Sequence, residues 1–265
     1  MRLAEGPIIA ALLLGAASVT HGQGTPRTIV SVWAHPDDET SAGPALARYA
    51  REGAQVYLII ATDGAQGAAN TSVPRGPQIA KLRMDEARCS AEALGARPPI
   101  LLGFPDGALG HYQADPSILF RLTQRLLEEL QQLKPDVLIT WGPDGGSGHP
   151  DHRLVSAVVT QLARAGAPGV PPRVFYTSIP VEAMRAMNPD REPPPSLVPQ
   201  ARHFTVRVPF TEADLDATRR SMACHKTQFP DALIERMTGG MGKIFKGELP
   251  LSPLVPQPPS NDLFK

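Results

Sequence analysis

A chain of 265 residues is long enough to bury the core of one α/β domain. Its 26 lysines and arginines balance 26 aspartates and glutamates, which removes the electrostatic footprint of a nucleic-acid partner or an anionic membrane surface. Proline (29) and glycine (23) make up about a fifth of the residues. That lies below the roughly 25–30% at which low complexity is the better description, and it fits a folded domain with long, stiff loops.

Along the chain, Arg2 precedes an almost wholly apolar run over residues 8–19, and small residues follow. The run falls short of the about 20 residues that span a bilayer. It reads as a secretory signal peptide over 1–22, cut between Ser18 and Gln23, with an uncleaved anchor as the alternative. A leader implies export, to a periplasm or beyond. No later run is long enough to cross a membrane, so no stable span is expected once the leader is gone.

From there apolar strands alternate with amphipathic helices. Thr28–Trp33 is a strand, 44–52 a short helix, and 55–61 (QVYLIIA) a continuous apolar run of the kind buried in parallel sheets. Residues 78–94 have the helical period and stop at Gly95; 99–102 is a third strand. The longest helix, 115–133, places Leu119, Leu122, Leu126, Leu127, Leu130 and Leu133 on one side. Val137–Trp141 is a strand, 151–165 a helix with Pro150 near its first turn, and 174–178 a strand. A proline-rich surface loop (181–200), an edge strand (203–210) and a helix (212–226) follow. The expectation is an α/β fold: a single-domain Rossmann-like sandwich, a mostly parallel sheet with helices on both faces, over 28–249, then an extended tail over 250–265. Export would allow a disulfide between Cys89 and Cys224, but each falls on an apolar helical face and reads first as a small buried residue.

Two clusters carry chemistry. His35, Asp37, Asp38 and Glu39 follow the first strand, and His149, Asp151 and His152 follow the fourth after a glycine-rich stretch. Parallel strands deliver functional loops at such ends. Three carboxylates beside a buried strand are costly unless something positive compensates them. Two histidines and a carboxylate suit a catalytic Zn²⁺, and a spare carboxylate suits a base. Spacing does not decide which of Asp37 and Asp38 is ligand and which is base. A solvent-exposed acidic turn is the plain alternative for the first cluster. The segment 142–148 carries neither G-x-G-x-x-G nor a Walker lysine, and no G-x-S-x-G elbow is present, which sets aside nucleotide-binding and serine-hydrolase readings.

AHPDDE (34–39) followed by HPDH (149–152) resembles the PIG-L/LmbE-type N-acetylglucosaminyl deacetylases. Supporting stretches are Thr62-Asp63-Gly64, Arg83 through Glu86, Leu102 to Gly107 and His225-Lys226-Thr227-Gln228. The resemblance implies that His35, Asp38 and His152 bind one Zn²⁺, which Fe²⁺ replaces in relatives. It also implies Asp37 as general base and His149 as acid or oxyanion stabiliser. Asp151 is expected to orient an imidazole, and Glu39 to do likewise or to cap. Arg83 and Asp106 match positions that approach sugar hydroxyls, although for Arg83 a surface pair with Glu86 fits equally. The substrate implied is a small-molecule or glycoconjugate N-acetyl sugar. Ala65 stands where many relatives have glutamate, so a zinc amidohydrolase acting on a non-sugar N-acyl substrate is the alternative. A non-catalytic, metal-stabilised carbohydrate-binding protein is the rival from another class.

Overall fold

In the computed structural model the described residues are 26–178, 181, 185 and 199–265. The expected leader and most of the 181–200 loop lie outside them. Five apolar runs pair side by side as parallel strands: β1 (Thr28–Trp33), β2 (Gln55–Thr62), β3 (Ile100–Phe104), β4 (Val137–Trp141) and β5 (Val174–Thr177). Two more, β6 (Val206–Pro209) and β7 (Glu248–Pro253), join antiparallel, giving the order β3-β2-β1-β4-β5-β7-β6. β6 takes the edge, as its alternating sequence implies.

Six helices cover the sheet: α1 (Gly43–Arg51), α2 (Pro77–Ala93), α3 (Ser117–Leu133), α4 (Pro150–Arg164), α5 (Glu212–Cys224) and α6 (Asp231–Phe245). Ile29, Trp33, Leu46, Val137, Ile139 and Ala217 form the core under α1 and α5. Val30, Val32, Leu122, Leu126, Leu138 and Val155 form the core under α3 and α4. Both faces of the central strands are therefore buried, which is why they read as unbroken apolar runs rather than alternating ones. The strand order reverses between β1 and β4. Connections diverge there and leave a crevice at the carboxyl ends of the strands.

Two expectations need correction, and one helix has no counterpart in the sequence reading. Cys89 and Cys224 form a disulfide with Cα atoms 5.7 Å apart, joining α2 to α5. Periodicity assigned each cysteine to a helix face but carried no sign that the two helices pack together. The stretch after residue 249 is not simply an extended tail. It starts inside β7, where Leu249 and Leu251 are buried, and it ends with Leu263 buried and its amide held by the Tyr49 hydroxyl at 2.9 Å. Pro250 and Pro253 hide this strand from a sequence reading, because proline normally demotes one. Helix α6 was not anticipated either, because Gly239, Gly240 and Gly242 weaken its helical signal.

Candidate metal centre

The turn after β1 is built by its own carboxylate. Asp38 Oδ2 accepts the amides of Ala34 (3.1 Å) and His35 (2.9 Å), and the Ala34 carbonyl accepts both the amide and the hydroxyl of Thr62 at 2.8 Å. After β4, Asp144 accepts the Gly146 amide at 3.0 Å in a helical turn, Gly145–Gly148, that reverses the chain into α4. Gly146 has φ 67°, and a Cβ there would lie 2.5 Å from the Trp141 ring. Only glycine fits this position. The turn aims the Gly145 carbonyl at His152 Nδ1, 2.9 Å away, while Trp141 stacks on the other side of the His152 ring at 5.0 Å.

The two motifs meet at one point. His35 Nδ1 lies 2.9 Å from His152 Nε2, Asp38 Oδ1 lies 3.3 Å from the same His152 atom, and Asp38 Oδ2 lies 3.8 Å from His35 Nδ1. Ligands held 2.0–2.1 Å from a tetrahedral Zn²⁺ are about 3.3 Å apart. The tautomers point the same way. His35 Nε2 faces Asp106 Oδ1 at 3.0 Å and Asp151 Oδ2 at 3.3 Å, so it carries the hydrogen. His152 Nδ1 faces a carbonyl, so it carries one too. The two remaining nitrogens therefore meet lone pair to lone pair, a contact that only a proton or a cation between them stabilises. Asp38 supplies a third donor and a negative charge to the same point, which makes the set fit a divalent cation. Burial works against charge on these imidazoles, yet the carboxylates outweigh it. Hydrogen bonds to Asp106 and Asp151 and the charge of Asp38 push His35 up to about 10, and Asp38 raises His152.

Other donors crowd the same point. Donor atoms of His35, His149 and His152 lie within 4.8 Å of one another, and so do donor atoms of His35, Asp106 and Asp151. His149 caps α4, its Nδ1 accepting the Asp151 amide at 3.2 Å. Burial and its neighbours His35 and His152 lower its pKa. It is therefore a neutral ring whose Nε2–H is available as a donor. Asp151 is buried and holds the amides of Gly107 and Gly110 at 2.8 Å, fixing the loop that carries Asp106.

Asp37 stands beside the cluster with φ 121°. Burial, with Asp38 and Glu39 nearby, pushes its carboxyl up to about 6 despite Arg83 and His225, a value suited to accepting a proton near neutral pH. Arg83 is not on the surface: it is 3% exposed and lies 3.1 Å from Asp37 Oδ1. It also donates to the carbonyls of Gly64 and Pro36. Its alternative partner Glu86 is occupied by the Thr227 amide and hydroxyl. Glu39 is fully buried and accepts from the Asp37 amide at 3.0 Å, from Ser90 and from His225 Nε2 at 2.6 Å. His225, part of a stretch that supports the family resemblance, is fully buried against Glu39, and nothing in the sequence marks Ser90.

A family profile described as PIG-L, GlcNAc-PI de-N-acetylase, matches residues 30–163. A 1D-myo-inositol 2-acetamido-2-deoxy-alpha-D-glucopyranoside deacetylase from Rhodococcus jostii is 32% identical over 238 residues, covering 76% of this chain and 82% of its own. Among solved structures, N,N'-diacetylchitobiose deacetylase from Pyrococcus horikoshii superposes with a TM-score of 0.58 at 18% identity, covering 86% of this chain and 83% of its own. GalB, a 4-carboxy-2-hydroxymuconate hydratase from Pseudomonas putida, gives 0.59 at 18% identity, covering 87% and 97%. At such identities the likeness is one of fold alone, and the fold serves more than one reaction.

Proposed function

The chain belongs to the PIG-L family of de-N-acetylases and is an amide hydrolase, and from that premise we propose that it is metal-dependent and removes the acetyl group from an N-acetylglucosamine-type sugar or glycoconjugate. Membership excludes the non-catalytic binding protein. The observation that carries the metal is the facing pair of imidazole nitrogens, 2.9 Å apart, with the Asp38 carboxylate beside them. His35, Asp38 and His152 would hold one divalent ion, Zn²⁺ in this reading and Fe²⁺ as the substitute. Such an ion supplies acidified water and a polarised carbonyl.

The chain's own residues do the rest. Asp37 takes a proton from the water that attacks the amide carbon. The His149 Nε2–H donates to the oxygen as it becomes negative. The C–N bond then breaks, the amine nitrogen takes the proton that Asp37 removed from water, and acetate and the free amine leave. Arg83 holds the Asp37 carboxylate, and Asp106 and Asp151 fix the ring of His35. Asp106 faces the β3 flank, where we assign the sugar; Arg83, enclosed by Gly64 and Gly67, acts through Asp37. We further infer export, supported by the apolar 8–19 run and by a disulfide, a bond that persists in oxidising compartments.

Asp37→Asn keeps the backbone and the ligand set. It should retain its metal and lose about a hundredfold or more in turnover of an N-acetylglucosamine substrate, followed by acetate release. Full activity in that variant removes Asp37 as the base.

A further inference from the structure

A cavity of about 320 Å³ borders the metal centre, with Asp37, Asp38 and His152 among its lining residues. Trp141, Phe229, Met237, Met241, Ile244 and Phe245 line it, and the last four recur on α6 at i, i+4, i+7 and i+8, one face of a helix. These four are only half-buried among the protein's own atoms. The cavity lies on the β4–β5–β7 flank, where Thr177 and Leu249 complete it, whereas Asp106 and the Asp63–Gln66 turn lie on the opposite, β3 flank.

We propose that this cavity takes the acyl chain of the scissile amide, so that linear acyl groups of roughly six to ten carbons are accepted beside acetyl and hydrolysed faster. The proposal rests on the metal-centre reading above and extends its acyl half. An occupant that touches Asp37 and His152 is part of what reacts. With the amine-bearing half on the polar Asp106 flank, the apolar flank is left to the acyl side. The size agrees: an apolar cavity of about 150 Å³ holds a six-carbon ring, so about 320 Å³ exceeds an acetyl group by several methylenes. The reaction is unchanged in kind. Water's oxygen joins the acyl carbon, the C–N bond breaks, and a fatty acid and an amine leave.

The test is a series of N-acetyl-, N-hexanoyl-, N-octanoyl- and N-decanoyl-glucosamine with zinc-loaded full-length protein, read by amine release. We expect kcat/KM to rise about twofold to fourfold per methylene until the cavity is full. Gly240 lines the same cavity, and a Cβ there meets nothing within 4 Å, so Gly240→Leu builds into the space without a backbone clash. It should cut the octanoyl-to-acetyl ratio of kcat/KM at least tenfold. A flat or falling series with acetyl hydrolysed best overturns the acyl-chain proposal and leaves the deacetylase reading intact. A rise seen only with octyl glycosides of N-acetylglucosamine assigns the cavity to the aglycone and also overturns it. Release of amine from no member of either series sinks both.

Discussion

Asp37 adopts a backbone conformation that costs a residue with a side chain about 1–3 kcal/mol. Its neighbours hold it there: Glu39 accepts its amide, the Thr40 hydroxyl and amide donate to its carbonyl, and Arg83 grips its carboxylate. Glu39 in turn is enclosed by Ser90 and His225, and a Ser90–Ser221 bond at 2.7 Å extends the network. Glu39→Ala strips an acceptor from three buried donors, which costs about 3–5 kcal/mol when one partner of a buried pair is removed. Thermal unfolding should show it as a fall on the order of 10 °C, with turnover reduced while the metal is kept. Wild-type melting in that variant would mean that the cage does not hold the turn. The residues of the AHPDDE and HPDH motifs were legible because each motif's chemistry sits within a few positions of a strand end. His225 and Ser90 were not, since their contacts to Glu39 span 186 and 51 positions and arise only when α2, α5 and the β1 turn pack together.

The disulfide staples the two helices that supply those partners. Cys89 precedes Ser90 on α2, and Cys224 precedes His225 at the end of α5. The bond closes a separation of 135 residues, and native disulfides contribute about 2–4 kcal/mol by restricting the unfolded chain. Cys89→Ala with Cys224→Ala should lower the melting temperature by about 5–15 °C in scanning calorimetry. An unchanged transition would show that the helices are held without it. The five parallel strands could be read from the sequence because burial on two faces leaves long apolar runs. Glycine in α6 and proline in β7 obscured elements whose stability comes from neighbours: Ile234 and Thr238 are buried on α6, and β7 is paired on both sides. Those two unforeseen elements supply much of the cavity's apolar lining, so that side of the site was invisible before folding.

For the molecule as a whole, the reversal of strand order between β1 and β4 brings residues 35–38 and 149–152 to one crevice. Among the described residues no helix is long and apolar enough to cross a membrane. The proposed export with cleavage predicts that intact mass of the exported chain places its first residue between Val19 and Gln23; a mass that includes Met1 in a cytoplasmic fraction contradicts that proposal. The account as a whole turns on one ion held between two loops. A crystal of the zinc-loaded protein, measured at the zinc absorption edge, tests this most directly. We predict a single anomalous peak bonded by His35 Nδ1, Asp38 and His152 Nε2. A peak held instead by His35 Nε2 with Asp106 and Asp151, or no peak at either position, would contradict it.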